Sequence, residues 1–233
     1  MKKLTNITLI FLTVILLHIP ASVKAADMSI GAATWYAWWD YDQDNNDNEF
    51  DPALMYGPAL SVGLTGSLNL TGVLLYGRFE EVDMGTKFDR YDSDIAFNYR
   101  ICGYLKVFAG AKYLYVDVDK GDGTHKAVSP ALGIGLTIPV GRSLFLLGNI
   151  SGLYGWGSEK GFLPTGDRFE SDLIEKGFNS TLSLAWYIDS MSTTLSLGGR
   201  YQRAWATYDN ELLDDATNTF YGITFGAIYS FGL

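Results

Sequence analysis

Hydrophobic and polar residues alternate with a period of two through nearly all of the chain beyond residue 27. Phe88 to Ile101 is the clearest case. Tyr91, Ile95, Phe97, Tyr99 and Ile101 fall on one face, and Asp92, Asp94, Asn98 and Arg100 on the other. Successive side chains of a strand point to opposite sides of a sheet, so this segment has one apolar and one charged surface. Tyr104 to Val116 repeats the scheme, with Leu105, Val107, Ala109, Ala111, Tyr113 and Tyr115 opposite Lys106 and Lys112. Cys102-Gly103 between the two is a tight turn. Read this way, the chain predicts ten strands, near 28–40, 54–65, 67–80, 89–101, 104–117, 127–138, 142–156, 176–188, 192–206 and 218–233. Eight is the alternative, if 28–40 and 67–80 are not strands.

The connections alternate in length. Gly66, Cys102-Gly103, Pro139-Gly141 and Asp189-Met191 are short, whereas 41–53, 81–88, 118–126, 157–175 and 207–217 are long and carry most of the acid. Such alternation suits a sheet whose two ends face different compartments, with short periplasmic turns and long extracellular loops. One face stays apolar, as in Leu132, Ile134, Leu136 and Ile138, or Leu182, Leu184, Trp186 and Ile188. The opposite face mixes glycine, serine, threonine and charge. A soluble β-sandwich turns its charges outward and puts fewer aromatics at strand ends. In hydrocarbon an unpaired backbone group costs several kcal/mol, so a sheet there must close on itself. The predicted fold is all-β: a closed antiparallel up-and-down transmembrane β-barrel.

The stretch from Trp35 to Asp51 has four aromatics in five positions, then six acids in twelve. Amphipathic rings favour the membrane–water boundary, so Trp35, Trp38 and Trp39 are expected in an outer girdle, with an exposed acidic loop beyond. Tyr99, Tyr104, Tyr115, Trp156, Trp186, Trp205, Tyr208 and Tyr229 complete the expected pair of girdles. A local repeat, Pro58 to Thr65 and Pro130 to Thr137, agrees at six of eight positions and falls four strands apart. Each proline comes early in its strand, where a missing N–H costs little.

Residues 1–25 read as a secretory signal. Lys2 and Lys3 precede an apolar stretch from Leu4 to Ile19, and Val23-Lys24-Ala25 provides the cleavage point, leaving 26–233 as the barrel domain. Cleavage removes Lys2, Lys3 and Lys24 and no acid, which takes the net charge from −9 to about −12. So acidic a chain does not suit nucleic acid, whose phosphates require clustered Lys and Arg. Cys102 is the only cysteine, so no internal disulfide forms.

With its signal, its alternating strands and its last segment, Gly226-Ala-Ile-Tyr229-Ser-Phe231-Gly-Leu233, the chain resembles bacterial outer-membrane β-barrel proteins as a broad class, OmpA-like or porin-like in size. The resemblance implies residence in the outer membrane, contact with membrane lipid and lipopolysaccharide, and recognition of the final strand by the outer-membrane assembly machinery. In that class the final strand ends on an aromatic. Here the last residue is Leu233 and Phe231 stands two positions earlier.

The inward face carries the candidate chemistry. With Gly103 at the turn apex, Asp94 falls opposite Lys112, with Asp92, Arg100, Lys106 and Arg200 as further lumen charges. Arg100 then falls opposite Lys106, which is unfavourable unless something intervenes. Such a network either fills the lumen, as side chains do in small barrels, or lines a narrow pore for small polar solutes. A second site is acidic: Asp40, Asp42, Asp44 and Asp51 echo a calcium loop without its glycine, and offer weak divalent-cation binding. His125, with Ser129 four residues on, is the only histidine after cleavage and does not by itself make a catalytic pair. The readings are a narrow pore, or a non-conducting structural or surface-interaction barrel acting through its acidic loops. Neither is an enzyme and neither needs a cofactor.

Overall fold

The computed structural model describes residues 27–43, 46–119, 123–162, 166–210 and 213–232. The expected signal at 1–25 lies outside them. Eleven strands run in chain order: β1 (Asp27–Gln43), β2 (Asn46–Asp51), β3 (Ala53–Gly63), β4 (Leu68–Glu81), β5 (Lys87–Arg100), β6 (Leu105–Val118), β7 (Gly123–Pro139), β8 (Leu144–Phe162), β9 (Arg168–Ile188), β10 (Thr193–Tyr208) and β11 (Ala216–Gly232). Each pairs antiparallel with the next along the chain, except β2 with β3, and β11 pairs with β1 from Gly232 opposite Asp27 to Ala216 opposite Gln43. The sheet therefore closes. β2 and β3 are separated at Pro52, which has no N–H to give to a ladder, and together they occupy one place between β1 and β4. The ring has ten staves.

Alternation sets the outer surface. Leu132, Ile134, Leu136 and Ile138 of β7 are exposed, as are Leu182, Leu184 and Trp186 of β9 and Ile223, Phe225 and Tyr229 of β11. Leu132 is 72% exposed in the isolated chain, a position that only a lipid acyl chain would cover well. The apolar run on β7 ends above at Val128, and Lys126 is the next outward residue toward the long loops. Val128 to Ile138 matches the roughly 9–11 residues a tilted strand needs to cross the hydrocarbon. Around the same level a chain of tyrosine rings forms the upper girdle. Tyr56 meets Tyr76, Tyr76 meets Tyr91 and Tyr91 meets Tyr115, at centroid distances of 6.2, 5.0 and 6.0 Å. Trp38 stacks on Tyr221, and Phe178 on Tyr201.

Three rings expected in the girdles belong elsewhere. Trp35, Trp39 and Tyr208 are 0%, 5% and 8% exposed and point into the barrel. The reason is parity. β1 carries aromatics on both faces, with Tyr36 and Trp38 outward and Trp35, Trp39 and Tyr41 inward, so hydrophobicity alone does not tell its two sides apart.

The strands also run further toward the long-loop end than the apolar pattern indicates. β7 begins at Gly123, β8 reaches Phe162 and β9 begins at Arg168. Above the lipid the outer face is charged and the inner face buries polar residues such as Ser171 and Glu175 beside Leu173, so the apolar alternation fades while the ladder continues. Lys160 and Glu170, directly opposite each other, form a 2.8 Å ion pair there. Much of the expected loop 41–53 is likewise a hairpin of β1 and β2. At the other end the turns at 64–67, 101–104, 140–143 and 189–192 are tight, the last with Ser192 in the left-handed region at φ 47°.

Candidate functional site

Inward-facing residues stack in layers along the lumen. The central layer is ionic and comes from β5, β6 and β10. Arg90, Asp92 and Asp94 occupy successive inward positions of β5, Lys112 lies opposite Asp94 on β6, and Arg200 reaches in from β10. Asp92 accepts from Arg90 Nη2 at 2.8 Å, from Lys112 Nζ, and faces Arg200 Nη2 at 3.5 Å. Asp94 takes Arg200 Nη2 at 2.9 Å and Lys112 Nζ at 3.5 Å. Arg200 Nε also donates to Asn179 Oδ1 at 3.1 Å. Each buried ion loses several kcal/mol of hydration, and only multiple short contacts of this kind return it. Asp92, Arg90 and Lys112 are all at most 2% exposed.

The aromatic layer rests on this one, toward the long loops. Trp35, Met55, Phe79 and Phe220 are almost fully buried. The Arg90 guanidinium packs on the ring face of Phe220 at 3.4 Å, and that of Arg200 on the ring face of Trp35 at 4.6 Å. Ring faces carry negative charge, so the two layers attract at their contact. Above, Trp39 stacks on Phe50 with centroids 3.8 Å apart and planes 7° from parallel, and its indole N–H donates to Asn218 Oδ1 at 3.0 Å.

The other two lumen charges lie below the ionic layer. Lys106 donates to Asn98 Oδ1 at 3.1 Å, and Asn98 passes a hydrogen bond to Thr71 Oγ1 at 3.0 Å. Arg100, directly opposite Lys106, is exposed at the short-turn mouth. Both line a polar vestibule of about 640 Å³ with Ser29, Asn69 and Thr137. A second cavity of about 260 Å³ shares Asn98 and Lys106 and reaches up to Asp94 and Arg200.

At the extracellular mouth is a group that the sequence reading did not assemble. His125 Nδ1 lies 2.9 Å from Glu159 Oε2 and its Nε2 lies 3.5 Å from Glu175 Oε2. The Tyr208 hydroxyl donates to the same Glu159 oxygen at 2.7 Å. With both ring nitrogens facing carboxylates, the imidazole is held as the cation. His125 lies above the tyrosine girdle, outside the hydrocarbon. Burial alone would lower its pKa, but the bonds to Glu159 and Glu175 outweigh this and raise it to about 9. A histidine raised from about 6.5 contributes stability that is complete below pH 6.5 and lost as pH rises through 9. Urea midpoints of the folded barrel measured from pH 6 to 10 should therefore fall over that window. The fall should be absent in His125→Gln.

The sequence signals for the missed residues differ. Arg90 shares the parity of Asp92 and was legible. Glu159 and Glu175 lay in what read as a loop. Of the acidic set, Asp40, Asp42 and Asp51 sit on a β-hairpin with Glu49 opposite Asp40. Asp44 lies outside the described residues. Among the described residues no three His, Cys, Asp or Glu side chains are arranged to hold a metal.

A ring of ten antiparallel staves with an apolar belt, aromatic girdles and a polar-to-ionic lumen defines a class, the transmembrane β-barrel. No protein-family model matches the chain, and no curated protein matches it. Solved structures do. The outer membrane protease OmpT from Escherichia coli superposes with a TM-score of 0.60 at 10% identity, covering 90% of this chain and 98% of that one. The translocator domain of autotransporter NalP from Neisseria meningitidis gives 0.44 at 10% identity, over 97% and 96%. Ail, the attachment invasion locus protein of Yersinia pestis, gives 0.38 at 12%, over 89% and 100%. The fold is that of bacterial outer-membrane β-barrels.

Proposed function

We propose that this chain is a non-conducting outer-membrane barrel that acts through its extracellular face. The observation that carries the reading is the paired ionic and aromatic layer. Trp35, Met55, Phe79 and Phe220 on one level, and Arg90, Asp92 and Lys112 beneath them, are each at most 2% exposed. A solute rising through the vestibule meets Asp94 and Arg200 and then this layer. Opening it means separating buried ion pairs and rings together. The acidic outward rim, with Asp40, Asp42, Asp51, Glu80 and Asp117 above the girdle, is the surface offered to partners. Below it the belt contacts lipid and lipopolysaccharide. The final strand, with Tyr229 stacked on Phe231 at 6.0 Å, is the element the assembly machinery would read.

OmpT is a protease on the same fold, which bears on an enzymatic reading. Against it here, both His125 nitrogens face carboxylates and, among the described residues, no hydroxyl or thiol nucleophile is bonded to the ring, so His125 is poor as a base. The second reading is a narrow pore for small polar solutes, favoured by the 640 Å³ vestibule lined by Arg100 and Lys106. Planar-bilayer recording separates the two. Wild type should insert without unitary current steps, and a Trp35→Ala/Phe220→Ala double variant should give steps, because it removes the two rings that cap the guanidiniums. Steady unitary conductance from wild type would overturn the proposal.

A further inference from the structure

The extracellular mouth contains a cavity of about 180 Å³ that neither reading of the lumen uses. Trp39, Phe50, Phe88 and Val116 wall it, and Arg90 forms part of its lining. An apolar protein cavity of about 150 Å³ is large enough to hold benzene. This one is therefore sized for a single ring with a small substituent.

Its polar feature is unusual. Arg90 is 0% exposed and gives Nη2 to Asp92, yet its Nε and Nη1 have no hydrogen-bond partner among the described residues. A buried donor without an acceptor costs about 1–3 kcal/mol, and more when it carries charge. Arg90 also belongs to a layer in which Arg90, Lys112 and Arg200 are ion-paired with Asp92 and Asp94, and beyond these pairs Arg90 feels the charge of Glu175. The Glu159 and Glu175 carboxylates both turn to His125, and Glu159 is taken up further by Tyr208. Lys160 at the rim is ion-paired to Glu170. Among the described lining residues, the buried donors without a hydrogen bond are Arg90 Nε and Nη1 and His125 Nε2, which faces Glu175 at 3.5 Å, and Arg90 is the one at the foot of the aromatic pocket.

We infer that this pocket is a binding site for small single-ring aromatic acids, the ring lying among Trp39, Phe50 and Phe88 and the carboxylate accepting from the unpartnered N–H groups of Arg90. A carboxylate–guanidinium contact is charge-assisted and stronger than one between neutral groups, so the acid is selected over its neutral and cationic analogues. The inference goes beyond the non-conducting reading. Binding is measured without any current, so the two fail separately.

The test is saturation-transfer NMR on the folded barrel in deuterated detergent, titrating benzoate, benzyl alcohol and benzylamine. Benzoate should bind at least tenfold more tightly than benzyl alcohol, and benzylamine should show no saturable transfer. Arg90→Gln should reduce benzoate to the level of benzyl alcohol. Because Arg90 is buried among charges and that variant can fail to fold, Val118→Trp serves as the second. Val118 is a half-buried lining residue, and an indole there fills the cavity and should weaken benzoate at least tenfold with the barrel intact. Absence of transfer from benzoate, equal affinity for acid and alcohol in wild type, or an unaltered Val118→Trp would each overturn the assignment; the last two mean partition into the micelle.

Discussion

Asp92→Asn should cost this barrel about 3–5 kcal/mol of stability, the range seen when one partner of a buried ionic group is removed. The carboxylate is 1% exposed and contacts Arg90, Lys112 and Arg200. Without it, three cations remain around Asp94 alone, and Asp94 touches only Lys112 and Arg200. Arg90 would then keep a full charge next to Phe220 with no counter-ion in contact. Lys112→Met is the informative contrast. It removes a charge yet leaves Asp92 with two guanidiniums, so its loss should be clearly smaller. Equilibrium urea unfolding in lipid vesicles measures both. Equal effects, or a loss under ~1 kcal/mol for Asp92→Asn, would show that the charges are hydrated and the lumen is wetter than its packing indicates.

The second large effect is expected at the closing seam. A Cβ placed on Gly31 of β1 would stand 2.0 Å from the Ala227 carbonyl oxygen of β11. One placed on Gly222 of β11 would stand 2.0 Å from the Tyr36 carbonyl oxygen of β1. Each strand thus contributes a glycine that lets the other's backbone approach. Backbone cannot swing aside as a flexible side-chain end can, so Gly31→Ala and Gly222→Ala should cost roughly 1–3 kcal/mol each by overpacking. In the double variant the β1–β11 ladder should fail to form. On cold gel electrophoresis the compact folded band should then weaken for each single variant and vanish for the double. Gly152→Ala is the control, because a Cβ there meets nothing within 4 Å.

How much of this was readable in the chain depends on what each residue faces. The staves were readable because lipid on one side and a polar lumen on the other impose a strict period of two, as on β5, where Ile95 and Phe97 face out and Asp94 and Asn98 face in. The period fails where that contrast fails. On β1 both faces are aromatic, and only the ring's geometry sends Trp35 and Trp39 inward. Above the girdle the outer face is charged and the inner face buries polar groups among apolar ones, so Glu159, Glu175 and the upper ladder of β8 and β9 left no apolar pattern. Parity placed Asp92, Asp94 and Lys112 on the inner face and set Asp94 opposite Lys112, but it did not show that Arg200 reaches them. The contact of Asp94 with Arg200 spans 106 positions and exists only because the sheet curls. The cavity was the least legible feature, since it depends on which of several inward rings tilt aside.

Ring closure between the first and last staves has a temporal consequence. Ser29 and Ser230 share a hydrogen bond at a sequence separation of 201. Until residues 216–232 have arrived, the nine earlier staves present two raw edges, each a row of unanswered amides that oil cannot tolerate. No stable fraction of this cylinder can wait in the bilayer. Its maturation should be a late, concerted event, slow for its size because the decisive contacts are the most distant along the chain.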